Sequence, residues 1–243
     1  MKKRFAAFVS TVLAAVLCAC SAAPKDVLPN KAAQPTEAPT QQAQTTQAAP
    51  TEQPTPEPDP VQQLLEEMTL EQKVGQLFLV RPDSLDLSQT QDQINDAKAD
   101  GVTELTDAMR QTLAEYPVGG VVIFGKNLES PQQITQFLDD LQQASDTPLF
   151  AAIDEEGGLV ARLANNAAFD LPQYESAAAV GTSGNPEDAR AMGRTIGGYL
   201  KEYGFNLDFA PVADVNTNPD NPVIGTRAFS SEPQTAADLV GGA

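Results

Sequence analysis

The groups best placed to do chemistry in this chain lie in AAIDEEGGLVARL, residues 151–163. An apolar run ends in Asp154, Glu155 and Glu156, two glycines follow, and Arg162 stands eight positions beyond the aspartate. Carboxylates accept several hydrogen bonds and a guanidinium donates several in fixed geometry, so such a set can grip a polar ligand. It can equally be loop chemistry, with Asp154 capping a turn and Arg162 pairing with Glu155 or Glu156. Lys126 follows the apolar run GGVVIF in the same way, Asp214 follows FNLDFAPV, and Arg227 sits in VIGTRAF, where a structural role would be to bind loop carbonyls. Glu156 is expected to hold its loop through backbone hydrogen bonds. Gly157 and Gly158 are expected to supply backbone conformations or close packing that a Cβ would block.

Elements that alternate along the chain position these residues. VQQLLEEM reads as a short helix, and Thr69-Leu70-Glu71-Gln72 has capping-box spacing, so a second helix starts there. Four apolar runs read as strands: 75–80, 119–124, 148–153 and 205–212. Residues 81–116 are a polar excursion with helical pieces near 107–113. Ser130-Pro131 opens a helix with Ile134, Phe137, Leu138 and Leu141 on one face. Asn185-Pro186 opens another, with Met192, Ile196, Tyr199 and Leu200 inward and Gly204 as its stop. Ser231-Glu232-Pro233 starts a last one. Strands separated by helices predict an α/β fold with a parallel sheet. No strand is followed by a glycine-rich phosphate loop, which disfavours a nucleotide-binding doubly wound sheet. Polar residues at strand ends favour a (β/α)₈ barrel, whose chemistry sits at the C-terminal ends of its strands. Four strands make about four βα units, the N-terminal half of such a barrel.

The chain outside that region is of another kind. Residues 1–20 have a basic start (Lys2, Lys3, Arg4), a short apolar run and Leu17-Cys18-Ala19-Cys20, which resembles a lipoprotein signal with Cys20 as the lipidated residue. This predicts export and a lipid anchor on the outer face of the cell membrane. With no cysteine beyond Cys20 there is no disulfide framework. Residues 21–60 are rich in Pro, Gln, Thr and Ala and too poor in large apolar groups to fold, so they read as a tether. As a flexible coil of about 39 residues it spans roughly 35 Å. Residues 1–60 carry five basic and five acidic side chains, so the whole net charge of −18 sits on residues 61–243. Such a domain is not expected to bind nucleic acid. No ligand cluster points to a metal or an organic cofactor.

Four motifs occur in one order: MTLEQKVGQLF, VGGVVIFGKNL, AIDEEGGLVARL and FAPVADVNTNPDNPVIGTRAFS. Together they resemble the N-terminal barrel of family 3 glycoside hydrolases, most closely the bacterial β-N-acetylhexosaminidases that act on cell-wall muropeptides. The resemblance covers nearly all of residues 61–243. It implies that Asp154 accepts hydrogen bonds from sugar hydroxyls, that Arg162 and Arg227 also contact the sugar, and that Glu156, Gly157, Gly158, Lys126 and Asp214 support the site. Leu159 departs from the family, where arginine is common. The resemblance further implies a histidine acid/base and a nucleophilic aspartate, but the chain contains no histidine. The expectation is therefore a partial barrel that carries substrate-binding residues and no catalytic pair, inactive alone, with one core face and one strand edge open. The alternatives are a β-glucosidase or xylosidase of the same family, or a sugar-binding lipoprotein without catalysis.

Overall fold

The computed structural model describes residues 59–243. The expectations for the signal, Cys20 and nearly all of the tether lie outside the described residues. The tether was drawn to residue 60, but Asp59 already caps the first helix, α1 (Pro60–Glu67), with its side chain accepting from Val61 N–H.

Four strands form one parallel sheet in chain order: β1 (Leu79–Val80), β2 (Gly120–Ile123), β3 (Phe150–Ile153), then β6 (Leu207–Asp208). Each pairs with the next in parallel register, for example Val121 with Ala151 and Ile153 with Asp208. A doubly wound sheet reverses its strand order partway, whereas a barrel steps in one direction. The monotonic order is that of a (β/α)₈ barrel, with about half its strands present and the barrel not closed.

Local sequence sets the helices. Thr69 and Gln72 form the expected reciprocal cap of α2 (Leu70–Gly75). Two short turns cross the excursion, a 3₁₀ turn at Pro82–Leu85 and α3 (Gln91–Asn95), before α4 (Asp107–Glu115). Ser130 caps α5 (Pro131–Gln143), whose Ile134, Phe137, Leu138 and Leu141 are all buried. At about 1.5–3 kcal/mol per buried apolar side chain, that face alone outweighs the helix's weak intrinsic propensity. The stretch after β3 includes α6 (Ala177–Gly181) and α7 (Pro186–Glu202). The latter buries Met192, Ile196, Tyr199 and Leu200 and is stopped by Gly204 at φ 94°. The last helix, α8 (Pro233–Gly242), begins at the expected proline, but its N-cap residue Glu232 makes no side-chain cap.

Two strand expectations were too long. Of 75–80 only Leu79 and Val80 are extended, and Leu77 and Phe78 are exposed. Gly75 closes α2, and Gly119 N–H donates to the carbonyls of both Gly75 and Phe78, so the turn takes bonds that a longer ladder would need. Of 205–212 only Leu207 and Asp208 pair.

Candidate sugar-binding site

The residues of interest gather at the C-terminal ends of the strands because of a small hairpin absent from the sequence reading. Its strands are β4 (Glu155–Gly157) and β5 (Val160–Ala161), antiparallel with Glu155 opposite Ala161. Extending that register by one residue places Asp154 opposite Arg162. The Arg162 Nη2 to Asp154 Oδ2 distance is 3.0 Å. Gly157 and Gly158 turn the hairpin at φ 81° and 66°, a region that side chains disfavour. A Cβ on Gly157 would strike the Met192 methyl, and one on Gly158 would lie 2.7 Å from the Glu175 carbonyl oxygen. Both reasons offered from sequence apply. Leu159 is exposed at the hairpin's tip.

The three acids behave differently. Asp154 is part-exposed, its side chain at 27% and that of Arg162 at 33%. Such a pair contributes about 0–1 kcal/mol, so a ligand's hydroxyls can compete for it at little cost. Arg162 pairs with Asp154, not with Glu155 or Glu156 as the sequence suggested, and its Nε is buried without a partner among the described residues.

Glu155 is fully buried. One carboxylate oxygen accepts from Leu163 N–H at 2.9 Å; the other accepts from Ala164 N–H and the Tyr199 hydroxyl, each at 2.9 Å. The loop-holding role expected of Glu156 therefore belongs to Glu155. Burial, reinforced by the charge of Glu155, pushes the Tyr199 phenol up. Glu156 instead grips Arg227 through two bonds of 2.6 and 2.7 Å, from Nη2 and Nε, and Arg227 Nη1 also donates to the Val223 carbonyl. The Glu156 contact holds the guanidinium protonated above its ordinary range, with the charges of Glu156, Asp154 and Asp214 adding to it. Asp214 itself is exposed.

Lys126 does not reach into this group. Its Nζ lies 3.2 Å from buried Asp83 and donates to the Gln93 and Ile94 carbonyls. Asp83 also accepts from Asn127 Nδ2 and Val102 N–H. This buried cluster fastens the polar excursion over the end of β2. It was not legible because its members are far apart in sequence.

Asp208 is a further carboxylate that sequence reasoning passed over, although a charge inside FNLDFAPV was visible. It ends β6 and accepts from Glu155 N–H at 2.9 Å. Burial raises it from 3.8 to about 6; the Glu155 N–H bond opposes this, and the charges of Glu155, Asp154 and Glu156 add to it. A carboxyl raised on folding adds stability that is complete below the unfolded value and is lost as pH rises through the folded one. Acidifying from pH 7 to 5 should therefore stabilise the protein through this group. After discounting for its partial exposure the gain is about 1 kcal/mol. Urea melts at both pH values should show that gain shrinking in Asp208→Asn. An undiminished gain would assign it elsewhere.

The profile described as "Glycosyl hydrolase family 3 N terminal domain" matches residues 69–242. Beta-hexosaminidase A of Pseudoalteromonas piscicida is 36% identical over 143 residues, 57% of this chain and 24% of that protein. A beta-hexosaminidase of Nitrosomonas eutropha is 35% identical over 141 residues, 56% of this chain and 40% of that protein. Among solved structures, a family 3 β-N-acetylglucosaminidase from Paenibacillus sp. superposes with a TM-score of 0.60 at 33% identity, over 72% of this chain and 30% of that one. The chain thus spans about a quarter to two-fifths of these relatives' lengths. With the profile covering well over half of its residues, the chain belongs to glycosyl hydrolase family 3 and carries that family's N-terminal domain.

Proposed function

We propose that this chain supplies the sugar-gripping part of a retaining exo-β-N-acetylglucosaminidase, with peptidoglycan fragments as substrate. The observation that carries this reading is the pair of arginines fixed by carboxylates at the rim: Arg162 by Asp154 and, more firmly, Arg227 by Glu156. Asp154 accepts from adjacent hydroxyls of the sugar while Arg162 and Arg227 donate to its oxygens. Contacts of this kind that tighten as the ring flattens lower the barrier of glycoside hydrolysis. Glu156 holds Arg227, and Gly157 and Gly158 shape the hairpin. Lys126 supports from further away through the excursion, and Asp214 lends charge near Arg227.

The relatives' activities and the family resemblance support this reading. Retaining hydrolysis needs a nucleophile and an acid/base. The 243 residues contain no histidine, so they do not supply the histidine acid/base that the resemblance implies. In this proposal Asp154, Glu155 and Glu156 are not substitutes for that pair. The proposed location is the outer face of the cell membrane, with Cys20 lipidated and residues 21–60 as tether, which would let the domain reach cell-wall fragments.

The test is binding. Titrating the chain with N-acetylglucosamine, followed by ¹⁵N NMR, should give saturable shifts at Asp154, Arg162 and the Gly157-Gly158 turn. Galactose, epimeric at one hydroxyl, should bind more weakly. Saturation without shifts at these residues, or no saturation at all, would overturn the assignment.

A further inference from the structure

A second cleft adjoins the Asp154–Arg162 pair on the side away from Arg227. It has a volume of about 230 Å³ and is lined by Arg81, Asn95, Asp96, Phe124, Lys126 and Arg162, together with two small residues. Arg81 directly follows β1, Phe124 directly follows β2 and Asp154 directly follows β3, so the cleft lies on the same strand-end rim as the sugar site. Its walls are unusual for this molecule. Residues 61–243 hold only ten lysines and arginines against twenty-eight acids. Three of those ten line this one cleft.

The three cations are not equivalent. Lys126 is neutralised by Asp83 beneath the floor and is committed to the Gln93 and Ile94 carbonyls. Arg162 is paired with Asp154. Arg81 forms no ion pair among the described residues. Its Nη1 donates to the Ile94 carbonyl at 2.7 Å and to Asn95 Oδ1 at 3.4 Å, while Nε and Nη2 make no hydrogen bond among the described residues. The Phe124 ring holds both guanidiniums to one place, with Arg81 Cζ 4.3 Å and Arg162 Cζ 5.7 Å from its centroid. Two like charges share one aromatic ring, and only one of them has a carboxylate partner. Asp96 also lines the cleft, but its Oδ1 accepts Lys98 N–H and it forms no ion pair with Arg81.

We propose that this cleft is the subsite for the sugar that follows the terminal N-acetylglucosamine, and that Arg81 selects a substrate carrying a carboxylate on that second sugar. The inference rests on the proposed function, because it takes Asp154 and Arg162 as the grip on the first sugar. The free edge of the Arg81 guanidinium offers two donors in the fork geometry that a carboxylate matches. The exposed part of the Phe124 ring provides an apolar seat for a pyranose face. The buried Lys126–Asp83 clamp fixes the excursion that carries Asn95 against this wall, so Arg81 is pre-oriented by the Ile94 carbonyl rather than free to swing. The acidic remainder of the domain opposes an anion at long range. That opposition is screened within about 10 Å at 0.1 M salt, whereas contact with Arg81 is not. Arg81 is thus a specificity-determining residue for the second sugar and not a catalytic one.

The experiment compares two disaccharides on the full chain: chitobiose, and N-acetylglucosaminyl-β-1,4-N-acetylmuramic acid, which differs by a lactyl ether carboxylate on the second sugar. Titration at pH 7 and low salt should show the acidic disaccharide binding about ten-fold tighter, with the preference reduced in 0.5 M NaCl. Arg81→Gln should bring the two affinities within about two-fold while leaving chitobiose unchanged. Equal binding of both disaccharides to the parent chain, or a preference that survives Arg81→Gln, would overturn the inference and leave the first-sugar site standing. If neither disaccharide bound, the proposed function would fall and the inference with it.

Discussion

Glu155→Leu is expected to destabilise the protein by about 3–5 kcal/mol, the range seen when one partner of a buried charged network is removed. The side chain has no solvent contact, and its carboxylate is the acceptor for Leu163 N–H, Ala164 N–H and the Tyr199 hydroxyl. Leucine fills the space but leaves three donors without an acceptor, at about 1–3 kcal/mol each. The relief of no longer burying a carboxylate works in the other direction, and it would win only if the donors were removed too. They are not, so the net effect is a loss. Two of the donors are backbone groups on the residues that follow Arg162, so the loss should also loosen the hairpin partner of Asp154. Urea unfolding of the full chain should show the midpoint falling, and melting should fall by on the order of 10 °C. Tyr199→Phe removes one donor of the three and should cost only about 1 kcal/mol. If Glu155→Leu cost no more than Tyr199→Phe, the carboxylate would not be the keystone of this turn.

That keystone shows where reading the sequence succeeds and where it stops. The helices α5 and α7 were legible to the residue on their inward faces, because a 3.6-residue period of large apolar groups has few other uses. The parallel sheet followed from the alternation of elements, and four aligned motifs placed Asp154, Arg162 and Arg227 on one rim. What was not legible depends on pairings across space. Three successive acids look alike in one dimension. In the folded chain Asp154 faces the cleft, Glu155 points into the core toward Tyr199, and Glu156 forks onto Arg227, 71 residues later. The alternation follows from the hairpin, since successive side chains of an extended segment point to opposite sides. Nothing in AAIDEEGG announces that hairpin except its two glycines. Arg81 escaped notice for the same reason: Phe124, its nearest aromatic neighbour, is supplied by the next strand.

Asp154→Ala is expected to weaken N-acetylglucosamine binding by on the order of 100-fold, the largest effect of any single change at the rim. Hydrogen bonds to a charged acceptor are worth about 1.5–3 kcal/mol, and the proposed grip uses two adjacent hydroxyls. The cost of displacing Arg162 from Asp154 is small because both side chains are part-exposed, so little of that gain is offset. The substitution also releases Arg162, whose Nη2 is held at 3.0 Å by the carboxylate and whose Nε has no partner to retain it. Asparagine separates charge from shape. Asp154→Asn keeps one carbonyl acceptor but turns an amide toward the arginine, so it should lose nearly as much affinity as alanine. From a millimolar start, a 100-fold loss removes saturation from an NMR titration altogether. Global stability should move by less than about 1 kcal/mol in both variants, because the lost ion pair is part-exposed. An alanine variant that saturates at the parent's sugar concentration would move the grip away from Asp154. An asparagine variant that binds like the parent would show that shape, and not charge, holds the sugar.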